Sequence, residues 1–77
     1  MDLTAVEQQK ISQLAARIKQ LRIQKGYSNY ESFAYEYDLP RAQYGRYEKG
    51  SNLTFKTLLK IVTIHEITLE QFFSEGF

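Results

Sequence analysis

The sequence of 77 residues has no cysteine, only one proline and a formal net charge of only +1. The lack of cysteine excludes a disulfide framework and a zinc site built on thiolates. No apolar run approaches the roughly 20 residues that span a bilayer, and no signal-like leader precedes a small-residue cleavage site. We therefore expect a cytoplasmic protein without membrane contact that forms one domain over residues 1–77.

The small net charge hides an uneven distribution along the chain. Residues 39–60 carry five basic side chains against the single acid Glu48, whereas residues 61–77 carry three acidic side chains and no Lys or Arg. A basic middle segment attracts an anionic polymer, although imbalance of this size also arises by chance in small domains. The hydrophobic fraction of 43% is sufficient for one compact core, so disorder is not expected.

Apolar spacing and capping residues predict an all-α protein of five helices. Residues 1–17 lengthen the first helix, residues 28–49 contain two short helices, and residues 54–73 contain the fourth and fifth. The short helices are separated at Pro40, which disfavours helical geometry in the residue before it. The predicted caps are Thr4 with Glu7, Ser28 with Glu31, Thr54, and Thr68 with Gln71. The residues predicted to face the core include Phe33, Ala34 and Tyr37 of the second helix and Phe55, Leu58, Leu59 and Val62 of the fourth.

The third predicted helix, about Pro40 to Glu48, has two chemically different sides at about 100° per residue. Its aromatic and acidic residues share the side that would face the core: Tyr44, Tyr47 and Glu48. The other side carries Arg41, Ala42, Gln43, Gly45 and Arg46. Small residues there allow close approach to a DNA major groove, and Arg and Gln side chains suit guanine and adenine edges. The simpler alternative is an ordinary solvent-exposed face.

Six stretches of the chain resemble the Cro/cI-type helix-turn-helix family. They are residues 18–22 (IKQLR), 25–26 (KG), 33–34 (FA), 44–50 (YGRYEKG), 57–61 (TLLKI) and 68–73 (TLEQFF). The resemblance implies a five-helix bundle that contains a helix-turn-helix and places its third helix in the major groove. It also implies sequence-specific binding of double-stranded DNA by a small transcriptional regulator, without a cofactor.

The resemblance assigns site residues by position. Base-reading residues would be Pro40, Arg41, Gln43 and Arg46. Phosphate contacts would come from Asn52 and Lys56, and from Ser28, Asn29 and Tyr30 at the start of the second helix. One residue more than usual precedes Phe33, which is expected to displace the start of that helix.

The family resemblance also pairs Arg22 with Glu48, which would join the first helix to the end of the third. A buried carboxylate needs such a partner, and the alternative is two independent surface charges. The only histidine, His65, is predicted to end a helix, because no set of three or four metal ligands is suitably spaced around it. We recognise no catalytic constellation and predict that the protein is not an enzyme.

Specificity from one short helix is limited, so a homodimer on a palindromic site is expected. Two surfaces are candidates for the dimer contact: the tail, with Phe72, Phe73 and Phe77, which we favour, and the start of the first helix, with Leu3 and Val6. The alternative function is a protein-interaction module such as an antitoxin. A protein-binding face would require aromatic or aliphatic anchors, which the exposed side of the third helix lacks.

Overall fold

The computed structural model describes residues 3–77, which form five α-helices and no strand. The helices are α1 (Leu3–Gln24), α2 (Tyr30–Glu36), α3 (Arg41–Glu48), α4 (Phe55–Ile64) and α5 (Leu69–Phe73). The prediction of an all-α protein with five helices is therefore confirmed. None of these helices is both long and apolar enough to cross a membrane.

All five helices contribute to one hydrophobic core, and Phe33 of α2 lies within it, fully buried. Its ring contacts the rings of Tyr27, Tyr37 and Tyr44, with centroids 4.9–5.4 Å apart. Aromatic pairs of this kind contribute about 0.5–1.5 kcal/mol beyond area burial. The remaining core residues are Ile18, Leu21, Ala34, Leu39, Tyr47, Leu58, Ile61, Val62 and Phe72.

The two C-terminal helices begin at the predicted threonine caps. The hydroxyl of Thr54 accepts a hydrogen bond from the Thr57 amide at 3.1 Å. Thr68 and Gln71 complete a capping box, with reciprocal bonds of 3.0 and 2.9 Å. A helix as short as α5 is unstable alone, so this capping box and the burial of Phe72 hold it in place.

Arg17 attaches α5 to α1, a role that the sequence analysis did not assign. Its guanidinium donates to the carbonyl oxygens of Phe72 at 2.8 Å and Gln71 at 3.1 Å. It also donates to Gln20 and forms an ion pair with Glu75 at 3.3 Å. A cation at the carbonyl end of a helix is electrostatically favourable, which explains how an arginine that is only 7% exposed is accommodated.

The predicted cap of α2 is wrong by one residue. Asn29, not Ser28, accepts the hydrogen bond from the Ser32 amide, at 2.8 Å. The backbone of Asn29 has the extended conformation of an N-cap. The displacement of the start of α2 relative to the family, expected from the additional residue before Phe33, stays a prediction.

The predicted apolar stripe of α4 is also partly wrong. Phe55 is 61% exposed and Leu59 is 39% exposed, whereas Leu58, Ile61 and Val62 are buried. The buried face of α4 therefore consists of Leu58, Ile61 and Val62, which are three and four residues apart. Phe55 and Leu59 lie beside that face and stay largely in contact with solvent.

His65 ends α4, as predicted, and is part of the aromatic packing. Its ring stacks on Phe33 with centroids 5.3 Å apart and an interplanar angle of 9°. Burial, together with the positive charges of Lys25 and Arg17, lowers the pKa of His65 to about 4. His65 is therefore neutral at pH 7. Among residues 3–77, no three His, Asp or Glu side chains are grouped to hold a metal ion.

Candidate nucleic-acid interface

Residues 37–40 turn the chain between α2 and α3. Asp38 has a φ of 57°, a left-handed conformation that aspartate tolerates better than most residues. The Leu39 amide then donates to the carbonyl of Ala34 at 2.8 Å, and the Leu39 side chain enters the core. Pro40 is the N-cap of α3. The predicted break is confirmed, and two short helices joined by a four-residue turn form a helix-turn-helix arrangement.

The α3 helix separates its core side from its solvent side. Tyr44 and Tyr47 are 1% and 9% exposed. Ala42, Gln43 and Arg46 are exposed and fall within an arc of about 100°. Ala42 is small, so the polar side chains of Gln43 and Arg46 dominate this arc and can approach a flat or grooved surface closely.

The four arginines of the chain fall into two classes. Arg17 and Arg22 are buried and bonded to carbonyl and carboxylate oxygens. Arg41 and Arg46 are exposed, and within residues 3–77 their side chains make no hydrogen bond or ion pair. Only the second class has all its donors available for an external anion or hydrogen-bond acceptor.

The predicted pair of Arg22 and Glu48 is confirmed, and the alternative of two independent surface charges is wrong. Two parallel hydrogen bonds of 2.9 Å join the guanidinium to both carboxylate oxygens, and each side chain is 5% exposed. A third bond of 2.7 Å reaches the carbonyl of Tyr27. The hydrogen bond to Glu48 raises the pKa of Arg22 despite the opposing effect of burial. This pair fixes the end of α3 to α1.

The prediction that Gly45 faces a groove is wrong, because Gly45 is buried on the side of α3 that faces Tyr30. A Cβ atom at this position would lie only 2.6 Å from Cε2 of the Tyr30 ring. The ammonium of Lys49 also lies over this ring, 5.8 Å from its centroid. Glycine therefore allows α2 to pack closely on α3 here, and Tyr30 is partly engaged within the protein.

The contact between Tyr30 and Gly45 predicts that the effect of a Gly45 substitution on stability depends on whether the Tyr30 ring is present. We expect Gly45→Ala to lower the free energy of unfolding by about 1 kcal/mol, because overpacking of about 1–3 kcal/mol exceeds the gain of about 1 kcal/mol in helix propensity. In a Tyr30→Ala background the same substitution is expected to stabilise the protein. Urea unfolding of the four proteins measures both effects. An equal effect of Gly45→Ala in both backgrounds would contradict the contact.

The structure brings Gln43 close to the basic side of α4. Gln43, Thr57 and Lys60 line a hollow of about 230 Å³ between α3 and α4. Lys60 was not among the predicted site residues, although it lies four residues after Lys56 and so on the same side of α4. Both lysines are exposed, and they extend the basic surface beyond α3.

The other predicted site residues are spread around this surface. Arg41 lines two further hollows, both shared with Tyr35 and Glu36, on the α2 side of the turn. It therefore lies apart from the arc of Gln43 and Arg46. The remaining candidates are exposed or half-buried residues at the helix starts and in the connection after α3: Ser28, Asn29, Tyr30, Pro40, Asn52 and Lys56.

The fold and the turn define a helix-turn-helix protein. A family model described as helix-turn-helix matches residues 18–72, that is, 55 of the 77 residues. The chain therefore belongs to the Cro/cI-type helix-turn-helix family, and this membership indicates a DNA-binding transcriptional regulator. Searches of curated proteins and of solved structures found no match. The N-terminal residues of α1, 3–17, lie outside the matched segment.

Proposed function

We propose that this protein binds a specific sequence of double-stranded DNA as a transcriptional regulator, with α3 in the major groove. One observation carries the proposal: Gln43 and Arg46 share an exposed arc of α3 and have no partner within the described residues, while the opposite side of α3 is held in the core. The backbone of a helix fixed in this way is already ordered, so binding orders only its exposed side chains.

Each exposed residue has a role that its chemistry suits. Arg46 can bind a guanine through two hydrogen bonds and Gln43 an adenine, with Arg41 and Pro40 at the edge of the contact. Phosphate contacts come from Lys56 and Asn52 and from the start of α2, where Ser28, Asn29 and Tyr30 lie. We add Lys60 to this set because it lies beside Gln43.

This arrangement supports DNA as the partner of α3 more than it supports a protein. Hot spots of protein interfaces are usually aromatic residues or arginines surrounded by apolar contacts, and the exposed arc of α3 contains only Ala42, Gln43 and Arg46. An interaction module such as an antitoxin would place its contact elsewhere. The proposal is accordingly that of a binding protein that needs no cofactor and catalyses no reaction.

Two substitutions distinguish base reading from anchoring. After selection of bound oligonucleotides from a random pool, Arg46→Ala is expected to cost roughly 1–3 kcal/mol on the selected site and to relax preference at one base pair. Lys56→Ala is expected to weaken binding to all sequences by a similar factor. Lys19→Ala, an exposed substitution on α1, is the matched control. If both test substitutions lower affinity without any change in sequence preference, α3 does not read the groove.

A further inference from the structure

An apolar groove lies between α1 and the C-terminal end of the chain. It has a volume of about 430 Å³ and is lined by Lys10, Ile11, Leu14, Leu58, Phe73 and Phe77. The rings of Phe73 and Phe77 contact each other edge to face, with centroids 4.9 Å apart. The groove therefore brings the tail, one of the two surfaces predicted for a dimer contact, against the part of α1 that follows the other predicted surface, Leu3 and Val6. We call this surface the α1–tail groove.

The first turns of α1 extend the apolar surface beyond the groove. Every residue from 3 to 10 is exposed, and Leu3 and Val6 are 64% and 40% exposed. The protein has eight exposed large hydrophobic residues within its described part, and Leu3, Val6, Phe73 and Phe77 are four of them. Adjacent apolar side chains such as Phe73 and Phe77 beside Ile11 and Leu14 mark an interaction surface.

One side of α1 carries a pattern of residues that would match the same side of a second α1 helix running in the opposite direction. At spacings of three and four residues, Leu3, Glu7, Lys10 and Leu14 lie on the same side of the helix. The order along this side is apolar, acidic, basic, apolar. Glu7 and Lys10 take part in neither of the ion pairs formed within residues 3–77, so both charges are available to an external partner.

An antiparallel copy of α1 satisfies all these groups at once. In one register, Leu3 faces Leu14 of the second copy, and Glu7 faces Lys10 of the second copy. Because a two-fold axis generates each contact twice, this register gives two opposite-charge pairs at the centre and an apolar contact at each end. Each apolar end meets the groove that Phe73 and Phe77 border.

We propose that a second copy of this chain occupies the α1–tail groove, with the two α1 helices antiparallel and Glu7 of each copy facing Lys10 of the other. The occupant follows from this charge and apolar complementarity, because the chain itself carries the pattern that matches this side of α1. A core as small as this one also gains stability from association. This interface does not depend on the proposed function.

Charge reversal tests both the partner and the register. The protein is expected to be a dimer by light scattering in the micromolar range. Glu7→Lys and Lys10→Glu each place two like-charge pairs in the homodimer and are expected to raise the dissociation constant at least about ten-fold. An equimolar mixture of the two variants restores both opposite-charge pairs and is expected to form a heterodimer as tight as the original dimer. Lys19→Glu, on the other side of α1, is expected to change nothing.

An uncharged substitution complements this test. Leu3→Ser is expected to weaken the dimer without changing its charge, and because Leu3 is exposed the fold should persist, which circular dichroism checks. A monomeric original protein, or failure of the mixture to restore dimers, would overturn the proposal. A dimer that binds no DNA would contradict the proposed function alone, and a monomer that binds selected DNA would contradict this interface alone.

Discussion

Replacement of Arg22 with alanine is expected to lower the free energy of unfolding by about 3–5 kcal/mol. The substitution leaves the Glu48 carboxylate, 5% exposed, without the two hydrogen bonds of 2.9 Å that now compensate its burial. It also removes the donor to the Tyr27 carbonyl. For a domain of this size, each kcal/mol lowers the melting temperature by roughly 4–8 °C, so the loss is easily measured by thermal unfolding.

Two variants separate the ion pair from simple loss of charge. Lys19→Ala removes an exposed cation from the same helix and is expected to change stability by less than about 0.5 kcal/mol. Arg22→Lys keeps the charge but not the planar fork that binds both carboxylate oxygens, so an intermediate loss is expected. A melting temperature of Arg22→Ala equal to that of Lys19→Ala would show that the pair does not stabilise the fold.

The ion pair also bears on the proposed function, because it joins the end of α3 to α1. Without it, the C-terminal turn of α3 loses its only side-chain bond to another helix among those formed within residues 3–77. We therefore expect a DNA-binding defect in Arg22→Ala even at temperatures at which the protein remains folded.

Helix positions were predictable because their signals are local. Thr54, Thr68 and Gln71 cap helices through bonds to residues three positions away, and such bonds depend on little beyond their own segment. The break at Pro40 has the same character, because a fixed proline ring restricts its immediate neighbour. The Arg22–Glu48 pair is not local, and it was predictable only through the resemblance to a family.

The errors concern residues whose environment is made by other helices. A glycine in α3 is compatible both with an approaching groove and with an approaching ring, and only the position of α2 shows that Tyr30 occupies the space. Similarly, Phe55 and Arg17 have environments opposite to those their types suggest: the phenylalanine is mostly exposed and the arginine is buried. Carbonyls at the end of α5 explain Arg17, and the sequence does not show that they lie beside α1.

In the candidate site, too, the features that depend on one helix were predictable, and those that depend on contacts between helices were not. Helical periodicity alone separates Gln43 and Arg46 from the tyrosines of the core, and the structure agrees. The inclusion of Lys60, and the separation of Arg41 from the arc, depend on how α4 and α2 pack against α3. These relations between helices are tertiary and leave no pattern in a single stretch of sequence.

Binding to duplex DNA is expected to weaken steeply as salt rises. Three exposed lysines flank α3 and are not assigned to base reading: Lys49, Lys56 and Lys60. If each neutralises one phosphate, the logarithm of the binding constant falls with the logarithm of salt concentration with a slope of about −2.7 per copy. A four-fold increase in salt then lowers the affinity about 40-fold for one copy and about 2,000-fold for two.

Titration of a labelled duplex at several salt concentrations measures this slope. Lys56→Ala is expected to make it shallower by about 0.9 per copy, whereas Lys19→Ala should leave it unchanged. Leu3→Ser does not change the charge of the protein. If its salt slope is half that of the original protein at concentrations at which its dimer dissociates, the original protein binds DNA as two copies. A slope near zero, or no binding at low salt, would mean that the lysines around α3 do not contact phosphates and that the basic surface serves another partner.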